Sequence, residues 1–210
     1  MDATRIGGIL LMLACGMMPF IIVEYLYLMR GLVPDASTAD RLAHSRAAHY
    51  ALSRGWHFEA VGMAMFAAAA FCLAQGSARA GWMVAGVGAI AVLPMYALMI
   101  GGFGAAKDLP DAQAGPLFMT IRAVATEIFF FGNLIMSAGM TLALALLVRS
   151  GGTAPGWVLW PALLGWAGSA LGFLALYAGL PVPMAVTGIF ALLGFVATAA
   201  LGASVATNGP

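Results

Sequence analysis

The chain has 210 residues, of which 63% are hydrophobic and only 8% charged, where soluble domains carry about 25% charged residues. A net charge of +1 excludes a basic surface for nucleic acid and an acidic tail. The mean hydropathy of +0.98, with no segment between apolar runs long enough for a soluble domain, leaves one class: an all-α, polytopic helical bundle forming a single integral membrane domain over residues 1–210.

Six segments reach the roughly 20 residues that a helix needs to cross a bilayer core. In chain order they cover about 6–29, 56–74, 81–101, 120–148, 157–179 and 182–206. In the first, "LMLAC" at 11–15 has a faint likeness to a lipoprotein cleavage site. The apolar run continues through "GMMPFIIVEYLYLM", so the segment reads as a retained span. Cys15 and Cys72 both lie inside apolar runs and no CxxC occurs, so they read as small packing residues rather than a disulfide or redox pair.

The first loop is the longest. Its "STADRLAHSRAAHYALSRG" opens with the S-x-x-D spacing of a capping box at Ser37 and Asp40. Leu42, His49, Ser53 and Trp56 fall near one face at 3.6 residues per turn, so a short helix on the membrane surface is expected there. The second span opens in "SRGWHFEAVGM". Gly-Trp recurs at three span starts, Gly55-Trp56, Gly81-Trp82 and Gly156-Trp157, and tryptophan at a span end reads as an interfacial anchor. "QGSARAG", "GGFGAAKDLPDAQAGP", "RSGGTAPG" and "GLPVP" separate the remaining spans as turns. Pro19 and Pro94 are expected to kink their spans. The fourth span is the longest, so it is expected to tilt or project. In the fifth, Gly165, Gly168, Ser169 and Gly172 read as a close helix contact.

Three glutamates lie inside spans: Glu24, Glu59 and Glu127. The first span ends on the side where the second and fourth begin, so all three belong to one leaflet. Arg54, His57 and Arg122 share that side, with His44 and His49 in the loop above it. No charged residue follows Arg149. An intramembrane carboxylate faces the bundle interior or a water-filled cavity and needs a partner. One reading is therefore a polar cavity lined by Glu24, Glu59 and Glu127 and open towards the first loop, for a cation, a protonatable solute or a metal. The other is structural pairing: Glu127 with Arg122 or Asn133, Glu59 with Arg54 or its own helix end, Glu24 with Arg30. Binding candidates are thus Glu24, Glu59, Glu127, Arg122, His57 and His49.

No cofactor is expected. Metal would suit the residue types, but no Glu-x-x-His, His-x3-His or HExxH spacing occurs. His57 and Glu59 stand about 200° apart on a regular helix, so both cannot point inward. Haem would need axial ligands, and only His57 is near a span. The 14 methionines include the i, i+4 pairs Met95/Met99 and Met136/Met140, which are scattered and read as packing rather than copper ligands. Ser169 has no histidine near it in sequence, so no catalytic residue is assigned.

The stretches "RIGGILLMLACGMMPF", "YALSRGWHFEAVG" and "EIFFFGNLIMSAGMTLALALLVRSGGTAPGW", the last followed by a glycine-rich span, give a plan that resembles a family of small, uncharacterised six-span bacterial membrane proteins, a domain of unknown function. The resemblance implies the bacterial cytoplasmic membrane and termini in the cytoplasm; a raw count of lysine and arginine points the other way. It brings no catalytic motif. The leading expectation is a non-enzymatic subunit or accessory protein whose partners are lipid and either other membrane subunits or copies of itself, without nucleic acid. A small carrier using the glutamates and a metal-assisted membrane enzyme are the alternatives.

Overall fold

The computed structural model describes residues 2–30, 32, 35–151 and 154–208. The chain runs α1 (Ala3–Met29), α2 (Thr38–Ala47), α3 (His49–Leu73), a 3-10 turn (Gly76–Ala78), α4 (Arg79–Ala97), a wide π turn (Leu98–Gly102), α5 (Phe103–Lys107), α6 (Asp111–Arg149), α7 (Gly156–Tyr177) and α8 (Met184–Asn208), with no strand among the described residues. Six stretches are long and apolar enough to cross a membrane: α1, α3, α4 with its continuation through α5, α6, α7 and α8. Helix is the form that lets such runs satisfy every backbone N–H and C=O without water. The protein is a multi-pass α-helical membrane bundle.

The spanning helices close a ring in chain order. α1 packs on α3, α3 on α4, α4 on α6, α6 on α7, α7 on α8, and α8 returns to α1. Small residues set the closest approaches. A Cβ at Gly88 would sit 2.2 Å from the Met136 nitrogen, and one at Gly139 2.2 Å from the Ala85 nitrogen, so α4 and α6 touch backbone to backbone. Gly165 meets the Gly194 backbone where α7 crosses α8, and Gly8 meets Gly202 and Ala206 where α8 closes on α1. The expected contact role of Gly165, Gly168 and Gly172 holds, and Ser169 adds a hydrogen bond to Ser137 on α6 at 3.1 Å. Large side chains fill the middle: Phe66 and Trp166 meet at 6.2 Å between ring centroids, and Met136 and Met140 are fully buried.

Several boundaries differ from the sequence expectation. The helix expected over 37–55 breaks at Ala48. Only Thr38–Ala47 forms the surface helix, capped by Ser37 and Asp40 as expected, and residues from His49 onward belong to α3. Leu42 and Trp56 therefore do not share one helix face. Trp56 lies two turns inside α3, 5% exposed and against Phe103 at 5.5 Å. Trp82 is 3% exposed. Of the three Gly-Trp tryptophans, only Trp157 presents its ring outward, at 74% exposure. Starting the helices earlier than the tryptophans turns two anchors into core residues.

The separator at 101–116 is mostly helical as well. α5 and the first turns of α6 occupy it, with a turn at Asp108–Pro110 between them. α6 is accordingly 39 residues long, about 58 Å at 1.5 Å per residue, and its start projects beyond a hydrocarbon core of about 30 Å. There it carries α2: Arg46 donates to Asp111 Oδ1 at 2.5 Å and to the Leu109 carbonyl at 2.6 Å. α1 continues through Pro19 and α4 through Pro94, with the π turn opening four residues after Pro94. In the turn at 149–156, Gly152 and Thr153 lie outside the described residues. Both cysteines carry free thiols.

Candidate functional site

Helix registers place the ionisable groups. α1 and α3 run antiparallel with Met17 and Met18 against Gly62. α3 and α4 pair Phe71 with Gly86, and α4 and α6 pair Val92 with Gly132. Carried round the ring, these registers bring Glu24, Glu59 and Glu127 within about one helical turn of a common level. They share a depth but not a face.

Glu59 projects from the same side of α3 as the buried Trp56, Met63 and Phe66. Its carboxyl lies beside the hydroxyl of Tyr96 on α4. Tyr96 is 1% exposed, and its hydroxyl, although next to that carboxyl, completes no hydrogen bond of good geometry. Tyr25 on α1 stands within electrostatic range of both Glu59 and Arg122 of α6. Arg122 follows the buried Ile121 on the inward side of α6. Near the loop-bearing end of the ring, Glu59 and the buried Tyr96 thus meet between α3 and α4, with the half-buried Arg122 of α6 and the exposed Tyr25 of α1 within electrostatic range of one another.

Glu24 stands beside them at the edge of α1 and α3. Its carboxylate is ion-paired and hydrogen-bonded with the Arg54 guanidinium. Arg54 therefore answers Glu24 rather than Glu59. Arg30 instead stacks over the Tyr27 ring at 3.9 Å from its centroid. Between α1 and α3 is a slit of about 10 Å³ lined by Glu24, Tyr25, Leu52, Gly55, Trp56 and Glu59, among others. That is room for about one water-sized occupant, much less than the solute cavity drawn from the sequence.

Glu127 lies elsewhere. It is exposed on the outward stripe of α6 that also carries Thr120, Val124, Phe131, Ala138 and Leu142. It makes no hydrogen bond or ion pair with any described residue. Asn133, one partner considered for it, instead donates to the Phe129 carbonyl at 2.9 Å. His57 is exposed, with its Nδ1 at 2.7 Å from the Ser53 carbonyl, and turns away from Glu59 as helical spacing requires. His49 opens α3 near Gly104, and its buried Nδ1 has no partner. No group of three or more metal-ligating side chains occurs among the described residues.

Sequence reasoning missed the two tyrosines. The signal for them is chemical: both are phenols set in apolar runs near the level of the carboxylates, and Tyr96, which is buried, carries a hydroxyl that needs a partner. No protein-family model, curated protein or solved structure matches this chain.

Proposed function

We propose that the chain is a non-enzymatic subunit of a larger assembly in the bacterial cytoplasmic membrane, with termini in the cytoplasm, and that it docks through the outward face of α6. The bacterial placement and the orientation rest on the resemblance to the six-span family. The docking rests on Glu127. From the midpoint of α1 at Gly16, the registers reach α6 near Phe131. Glu127 is four residues from that point, about 6 Å, within the roughly 15 Å half-thickness of the hydrocarbon core. An ionisable group there costs about 2.5–3.5 kcal/mol on insertion scales unless something answers it. Among the described residues, none does so on that face. A neighbouring helix that presents a cation or a hydrogen-bond donor at the same depth removes the cost. The exposed Ala123 and Thr126 beside Glu127 are small enough to let such a helix approach closely.

The test is site-specific photocrosslinking in native membranes, with the probe at Ala123 and a control probe at Leu171 on the outer face of α7. The expected result is a protein adduct of defined mass from position 123 that falls at least fivefold with Glu127→Leu, and none from position 171. An adduct of twice the chain's mass would identify the partner as a second copy. Crosslinks to lipid alone, or an adduct indifferent to Glu127→Leu, would sink the docking reading.

A further inference from the structure

We propose, on the reading that α6 docks through its outward face, that the partner is a second copy of this chain, which presents the outward face of α3 and answers Glu127 with His57. His57 is a second ionisable side chain turned outward at membrane depth. The registers that level Gly16 with Phe131 also level His57 with Val124. That is seven residues from the midpoint, about 10 Å, inside the roughly 15 Å half-thickness of the hydrocarbon core. The side chain is exposed, and its Nδ1 donates to the Ser53 carbonyl at 2.7 Å. Among the described residues no hydrogen bond or ion pair forms at its Nε2. One chain therefore carries an unanswered acid and an unanswered base on its lipid-facing surface, about 5 Å apart in depth. They do not meet within a copy, because α4 stands between α3 and α6.

Shape supplies the second observation. Beyond His57 the outward stripe of α3 carries Ala64 and Phe71, and beyond Glu127 that of α6 carries Phe131 and Ala138, all exposed. The same registers level Phe131 with Ala64 and Ala138 with Phe71. When α6 of one copy lies along α3 of the next, each aromatic ring meets an alanine. α3 and α6 run in the same direction, and copies inserted with one sidedness differ by a rotation about the membrane normal, so these levels are kept across the contact. A symmetric contact of α6 on α6 does the opposite: it sets Glu127 against Glu127 and Phe131 against Phe131. The contact is therefore head-to-tail, and each copy offers one α3 face and one α6 face to two different neighbours. At the pair itself, Nδ1 already gives its hydrogen to Ser53. A single proton between Nε2 and the Glu127 carboxylate then satisfies both, on nitrogen as an ion pair or on oxygen as a neutral hydrogen bond.

The experiment is cysteine crosslinking of the full chain in native membranes, in a background carrying Cys15→Ala and Cys72→Ser. Ser53→Cys and Thr120→Cys are level with each other towards the loop-bearing end and leave His57, Glu127 and the aromatic rings in place. They are carried on separate, differently tagged copies expressed together, and the membranes are oxidised with copper phenanthroline. We expect an adduct of twice the chain's mass that bears both tags, and far less that joins two Thr120→Cys copies. Its yield should fall about fivefold with Glu127→Leu on the Thr120→Cys copy, or with His57→Leu on the Ser53→Cys copy. The same leucine substitutions exchanged between the copies leave the tested contact intact and should leave the yield unchanged, which separates lost pairing from misfolding. An adduct between two Thr120→Cys copies of equal yield would overturn the second-copy contact with α3, as would a mixed adduct indifferent to both leucine substitutions. So would no mixed adduct while the photoprobe at position 123 still captures a protein of another mass, a result that leaves the docking of α6 standing. Lipid crosslinks alone from position 123, with no mixed adduct, would remove the docking as well.

Discussion

Ser137 and Ser169 share a hydrogen bond while fully buried, and Trp166 donates to Thr198 Oγ1 at 2.8 Å in the same interior. Removing one serine strands its neighbour; removing both leaves two methyl groups in contact. Ser137→Ala or Ser169→Ala alone is expected to cost about 0.6–2 kcal/mol. The double variant should cost no more than either single one, measured as a thermal-stability cycle in detergent. Trp166→Phe is expected to lower stability by about 1–3 kcal/mol, since it leaves the Thr198 hydroxyl buried without a donor. The depth of the ionisable side chains was legible from sequence, because counting spans fixes the side on which each helix end lies. Their direction was not. These helices are apolar on every face, so no polar stripe tells lipid from core, and Glu59 and Glu127 read alike until the bundle shows that one turns in and the other out.

Helix contacts explain where the elements sit. α4 and α6 interlock through Gly81, Gly88, Gly132 and Gly139, and a side chain at the first, second or fourth would meet backbone rather than a yielding side-chain tip. Gly88→Val is expected to destabilise by about 1–3 kcal/mol or to prevent folding. Gly16→Ala, where nothing lies within 4 Å, should be neutral in the same assay. α2 is held differently, by Arg46 at the exposed end of α6. Such a pair contributes up to about 1 kcal/mol. Arg46→Ala is expected to leave the melting temperature nearly unchanged while speeding hydrogen exchange over Thr38–Ala47. Span existence and the capping box at Ser37 were legible from apolar length and local side-chain chemistry. The early starts of α3 and α6 were not, because charged and small residues beyond the hydrocarbon core still make helix, and hydropathy marks only the part inside it.

On the scale of the whole molecule, the glutamates within the spans all lie towards one end of the ring, while the charged groups of the other end, Asp2, Arg5, Arg79 and Arg149, stand at helix termini, an asymmetry that parity had already drawn. Ring closure itself had no sequence signature: Gly8 and Gly202 are two glycines among 27, and only the structure shows that they meet. That meeting has a consequence for connectivity. The start of α1 and the end of α8 lie side by side, with Arg5 Nε donating to the Ala206 carbonyl at 3.2 Å. Every spanning helix therefore touches its chain neighbours on both sides, and the polypeptide is a loop whose opening point is arbitrary. A permuted chain that joins these two ends through a short glycine-serine linker and opens between Gln75 and Gly76 keeps the new ends on the same face of the membrane. It is expected to insert with the same sidedness and to melt within a few degrees of the parent, about 5 °C at most, as protease protection and thermal unfolding of the two chains would show.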